Sequence, residues 1–258
     1  MNLNLTGYKA LVCGSTQGIG KASAIELAKL GANVTLLARN KETLKEVCNA
    51  LPNNGEQNHS YLVADFSKKY ELLSVLETTN EFHILVNNTG GPAGGLIKEA
   101  KLNEFTTAFS NHLLCNHILV QALVPFMKSE GYGRIINIIS TSVKAPIPGL
   151  GVSNTIRGAV ASWSKTLSAE LASLGITVNN VLPGLTSTGR LQSIIESKAQ
   201  QLSVTKDDVI AAMKKEIPAS RFAKPEEVAT AVAFLACPAA SYINGVNLPV
   251  DGGKTMCL

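Results

Sequence analysis

Between positions 14 and 20 the chain reads Gly14-Ser15-Thr16-Gln17-Gly18-Ile19-Gly20, directly after a short apolar run and directly before a helical pattern. Glycines let backbone N–H groups come close to a ligand, and the start of a helix offers unpaired N–H groups and partial positive charge. That combination holds a pyrophosphate. The spacing is GxxxGxG rather than the common GxGxxG, so the expectation rests on the loop's place in a first β-α unit. Gly14, Ser15, Gln17, Gly18, Ile19 and Gly20 are expected to bind a dinucleotide. The second apolar run ends Leu36-Leu37-Ala38-Arg39-Asn40, with no acid to hold an adenosine ribose diol. A guanidinium there can pair with a 2′-phosphate, so Arg39 and Asn40 point to NADP(H) in preference to NAD(H). The plainer reading of Arg39 is a solvated loop charge. Asp65, at the end of the third run, suits the adenine edge or a cap before Ser67.

These residues must be positioned by an alternation of strands and helices. Short apolar runs at Lys9–Val12, Asn33–Ala38, Ser60–Ala64, Ile84–Asn87, Arg134–Ile139, Thr177–Leu182 and Val246–Val250 read as strands. Amphipathic stretches at Ile19–Leu30, Lys41–Ala50, Lys68–Thr78, Leu102–Lys128, Asn154–Leu174 and Pro225–Ala236 read as helices. Gly31 and Gly175 are placed to end two of them in left-handed caps. The expected fold is α/β and Rossmann-like, a doubly wound, seven-stranded, mostly parallel sheet with helices on both faces. With 258 residues, 45% of them hydrophobic, and no visible linker, one domain over 1–258 is expected. The stretch Gly184–Lys224 breaks the rhythm and reads as an insertion over the active edge that selects substrate. The run Gly90–Gly95 reads as a mobile loop.

Composition narrows the function classes. A net charge of +4 is spread along the chain without a basic stripe, which argues against nucleic acid as a partner. No apolar run approaches the roughly 20 residues of a membrane span, and Met1–Thr6 has no leader character, so a cytoplasmic protein is expected. Cys13, Cys48, Cys115, Cys237 and Cys257 are scattered and read as reduced thiols, with no metal site.

Several separated segments together resemble the short-chain dehydrogenase/reductase family over essentially the whole length. Gly14–Gly20 is similar to its glycine motif, with Cys13 for the usual Thr, and Asn87-Asn88-Thr89-Gly90 to its Asn-Asn-Ala-Gly. Pro183-Gly184 with Thr188 resembles the segment at the nicotinamide, and Asp251-Gly252-Gly253 the ending of tetrameric members. The resemblance implies that Asn88, Gly90, Pro183, Gly184 and Thr188 join the cofactor site. It also implies catalysis by a Ser, a Tyr with a Lys four residues later, and an Asn on the long preceding helix.

No Tyr-x-x-x-Lys occurs in this chain. Aligned on the resemblance, Ser140 takes the usual Ser position, Ser153 that of the Tyr and Arg157 that of the Lys. The Asn position falls on His112, or on Asn111 with a shift of one. An aliphatic hydroxyl cannot inherit the role of a phenol, and Arg157 cannot give up a proton, although it can hold ribose hydroxyls. The proton must come from water, substrate or His112, whose ordinary pKa of roughly 6.5 suits a general acid. The segment Ser153-Asn154-Thr155-Ile156-Arg157 resembles a divergent, 3-oxoacyl-carrier-protein reductase-like branch of the family.

The resemblance implies an NADP(H)-dependent oxidoreductase acting on a small-molecule carbonyl or secondary alcohol through an atypical site. The competing expectation is a catalytically inactive dinucleotide-binding sensor or partner subunit; lyase or epimerase chemistry is a third. Surplus apolar residues on the two long helices, Leu113, Leu114, Ile118, Val160, Trp163 and Leu167, lead to the expectation of a homotetramer or homodimer.

Overall fold

The computed structural model describes residues 1–257. Among them seven strands, β1 (Lys9–Cys13), β2 (Asn33–Ala38), β3 (Ser60–Val63), β4 (Ile84–Asn87), β5 (Gly133–Ile138), β6 (Ile176–Pro183) and β7 (Asn247–Val250), form one sheet. Its order is β3-β2-β1-β4-β5-β6-β7, and every neighbouring pair is parallel. Strands covered on both faces have no polar side to show, which is why β1 and β4 read as unbroken apolar runs. Ala10 and Val12 pack with Leu27 and Val232 on one face, while Leu11 and Cys13 pack with Leu72 and Leu119 on the other.

The helices are α1 (Gly18–Lys29), α2 (Lys41–Asn49), α3 (Lys69–Thr78), α4 (Leu102–Phe109), α5 (Cys115–Ser129), α6 (Gly151–Leu171), α7 (Gly189–Leu202), α8 (Lys206–Lys215) and α9 (Pro225–Ala236). On one face α1 lies against α9, and on the other α3 lies against α5. Gly31 and Gly175 adopt φ of +99° and +76°, the left-handed turn expected of each. No helix among the described residues is long and apolar enough to cross a membrane.

Two expectations are corrected. The helix expected to run unbroken over Leu102–Lys128 is divided by a π-helical turn, Ser110–Leu114, which carries His112. Such turns insert extra backbone into an α-helix and concentrate at functional sites. The glycine run expected as a mobile loop is anchored: Gly91 and Pro92 carbonyls accept from Arg190, and Gly95 exchanges backbone bonds with Gly149 and Gly151. Between β6 and α9, α7 and α8 build a small apolar cluster of their own from Leu191, Ile195, Ala199, Val209 and Met213.

Candidate active site

Strand order reverses between β2-β1 and β4-β5, and the loop after β1 lies at that switch point, where the crevice of an open parallel sheet binds ligands. The loop is closed from the β4 side by Asn88, whose Nδ2 donates to Cys13 O and Gly14 O at 3.2 Å each. A Cβ on Gly14 would lie 2.6 Å from Asn88 O. One on Gly20 would strike Gly14 O and come 2.6 Å from Asn88 Nδ2, so backbone fills the space a side chain would need. Gln17 heads α1 in extended conformation without capping it, leaving first-turn N–H groups open. Ser15 is fully buried and its Oγ has no partner. Buried hydroxyls are ordinarily paired, so an orphan in a glycine cradle under uncapped N–H groups fits a phosphate oxygen.

At the end of β2, Arg39 is exposed and faces Asp65, whose carboxyl feels its charge. Burial works to raise the Asp65 pKa, but hydrogen bonds from Ser67 and the Arg39 and Lys68 charges outweigh it and hold the pKa below the ordinary value. Asp65 Oδ1 accepts from Ser67 N at 2.9 Å, the turn before Ser67. Asn40 caps α2, accepting from Thr43 N at 2.8 Å, so its side-chain oxygen is already engaged. From the opposite side, Pro183 ends β6 and Gly184 packs so tightly on Asp251 that a Cβ would lie 2.7 Å from its Cα. Thr188 caps α7, and its methyl would be 3.2 Å from a Cβ on Gly18. The expected nicotinamide segment and the phosphate loop thus meet. Gly90 is exposed, and a Cβ there would meet no atom within 4 Å.

Ser153 and Arg157 lie one turn apart on α6, each 7% exposed. Arg157 donates to Ile138 O at 3.1 Å, which ties α6 to the end of β5. Burial, and then the Arg190 charge, lower its pKa to about 10, so it stays cationic at neutral pH. Ser140 follows β5 and accepts from Ser142 N at 3.1 Å; no hydrogen bond joins it to Ser153. His112 is 2% exposed, and its Nδ1 is hydrogen-bonded to Thr89 Oγ1. Burial, then the Arg157 and Arg190 charges, push its pKa down to about 3. A depressed pKa favours the neutral ring, a hydrogen-bonding group, over the imidazolium that a general acid at His112 would need. Asn111, the alternative at this position, is half-buried.

Two residues of this cluster escaped the sequence reading. Thr89 stands where the family motif has Ala, and a hydroxyl there beside a histidine on the long helix was the available signal. Arg190 had only its place two residues after Thr188.

A glycine cradle at the switch point of a parallel, doubly wound sheet defines a Rossmann-type protein. The chain belongs to the short-chain dehydrogenase/reductase family, a family of NAD(P)-dependent oxidoreductases: residues 14–255 match the family described as enoyl-(acyl carrier protein) reductase. It is 35% identical to 3-oxoacyl-[acyl-carrier-protein] reductase FabG of Rickettsia prowazekii over 254 residues, 98% of this chain and 99% of that one. The structure of L-sorbose reductase from Gluconobacter frateurii, complexed with NADPH and L-sorbose, superposes with a TM-score of 0.93 and 29% identity over the full length of both chains. YwfH, an NADPH-dependent reductase involved in bacilysin biosynthesis, gives a TM-score of 0.91 and 27% identity over 97% of this chain and 99% of that one.

Proposed function

We propose that this protein is an NADP(H)-dependent reductase, or in reverse a dehydrogenase, that interconverts a small-molecule carbonyl and a secondary alcohol at a site without the family's phenol. The observation that carries this reading is the cradle itself: Gly14 and Gly20 closed by Asn88, with the Ser15 hydroxyl buried and unpartnered inside. Arg39 beside Asp65 supports NADP(H) over NAD(H), because a guanidinium pairs with a 2′-phosphate and an acid does not. The similarity to two NADPH-dependent reductases supports the same choice.

When bound, the cofactor supplies or accepts a hydride at the substrate carbon. Ser140 orients the substrate oxygen by hydrogen bonding, and Arg157 holds ribose hydroxyls with the N–H groups not given to Ile138. Ser153 Oγ, which has no partner among the described residues, passes a proton from water to that oxygen without being acidic itself. Neutral His112, held by Thr89, orients groups by hydrogen bonds and does not supply the proton.

The test is calorimetric titration with NADPH and NADH, repeated on Arg39→Ala, followed by a panel of carbonyl compounds read by NADPH absorbance. NADPH should bind more tightly, and Arg39→Ala should remove that preference, a loss of about tenfold or more for one charge-assisted contact. Tight binding with no turnover on any carbonyl would favour the non-catalytic sensor or partner subunit. No binding of either nucleotide would sink both.

A further inference from the structure

The phosphate loop is flanked by two segments, one after β4 and one after β6. Asn88, after β4, donates through Nδ2 to Gly14 O at 3.2 Å. Thr188, after β6, has its methyl 3.2 Å from where a Cβ on Gly18 would stand. Arg190, just beyond Thr188, reaches back to the β4 side: Nη1 donates to Gly91 O at 2.7 Å and Nη2 to Pro92 O at 2.9 Å. Among the described residues these are the hydrogen bonds that join Gly90–Gly95 to the segment after β6. The contacts close a circuit that runs from the phosphate loop through Asn88 to Gly91, across Arg190 to Thr188, and back to the loop.

Helix stability does not explain an arginine at this place. It lies in the first turn of α7, where a cation meets the positive end of the helix dipole and no acid accompanies it. The next two helices open with Asp207 and Asp208, and with Glu226 and Glu227, as the dipole favours. Gly91 is fitted to the guanidinium: a Cβ there would lie 2.9 Å from Nη2 and 3.0 Å from Cζ. A planar fork suits two adjacent carbonyls. Because Arg190 is exposed, water competes for each bond, so the bridge holds and yet opens at small cost. Resting on the nucleotide-binding reading above, we propose that Arg190 is a strap over the phosphate loop that must part each time the dinucleotide enters or leaves. Both acceptors are the protein's own backbone, so the same bonds hold with the cradle filled or empty, and the strap governs rates rather than affinity.

Stopped-flow measurement of NADPH fluorescence with the full chain tests this, comparing the natural protein with Arg190→Gln and Gly91→Ala. Glutamine lacks the charge and the fork, whereas the alanine methyl displaces the guanidinium and leaves its charge in place. Both variants should raise the association and dissociation rates together by about three- to tenfold, the scale of one or two exposed charge-assisted hydrogen bonds, with Kd unchanged within about twofold. Faster association in Arg190→Gln is the telling result, since removing a cation from the path of an anion slows its arrival by itself. Faster dissociation without faster association in Arg190→Gln makes Arg190 a direct nucleotide contact and overturns the strap. Unchanged rates in either variant overturn it too, and leave the nucleotide-binding reading intact. If NADPH does not bind the natural protein, that reading fails and the strap fails with it.

Discussion

Gly20 sits where one methyl group would strike Gly14 O and crowd the Asn88 amide. Neither neighbour can retreat cheaply, since one is backbone and the other is bonded to Cys13 O and Gly14 O. Gly20→Ala should weaken NADPH binding by at least about tenfold in calorimetry, because the cradle must open to admit the methyl. The pH behaviour of His112 is a second prediction at this scale. Its pKa is about 3 in the fold and roughly 6.5 in the unfolded chain, so between these values the unfolded state binds the extra proton. Stability therefore rises with pH across that window, is fully present above it, and is lost as pH falls. Urea midpoints at pH 5 and pH 7.5 should differ more for the natural chain than for His112→Asn. The cradle was legible residue by residue because glycine spacing and the following helix state its chemistry locally. The charge state of His112 was not, since it depends on burial and on arginines 45 and 78 positions away.

At the scale of elements, a row of asparagines crosses the sheet beneath the active edge. Asn87 on β4 donates to Asn137 on β5 at 2.8 Å, Asn137 donates to Asn180 on β6 at 3.0 Å, and Asn180 donates to Asn247 on β7 at 2.8 Å. Ser164 on α6 joins Asn137 and Asn180, donating to the latter at 2.8 Å. The row locks the helix that carries Ser153 and Arg157 onto the strands that carry the rest of the site. Ser164→Ala should destabilise the protein by about 1–2 kcal/mol, because it leaves buried amide groups short of a partner. Urea unfolding measures this directly. Strand and helix positions were readable from apolar periodicity, whereas the break at Ser110–Leu114 was not. The wider turn at Ser110–Leu114, which carries His112, has no residue signature of its own in a pattern of apolar spacing.

At the scale of the whole molecule, the expected association rests on the faces of α5 and α6. Val160, counted among the surplus apolar residues, is fully buried within the subunit, so it is withdrawn from that argument. Leu113, Leu114, Ile118, Trp163 and Leu167 remain only partly covered. We predict a dimer or tetramer by sedimentation at micromolar concentration, which covers these faces. Sedimentation as a monomer would remove the prediction. By itself the sequence determined the alternation of strands and helices, the phosphate loop, the family and the absence of its Tyr and Lys, because each is written in residues close together along the chain. Only the tertiary structure showed what surrounds the positions where the resemblance sets them. Arg157, Arg190, His112 and Thr89 come from four separate segments, and whether their charges meet, which are buried and which lack a partner follows from packing at the sheet edge.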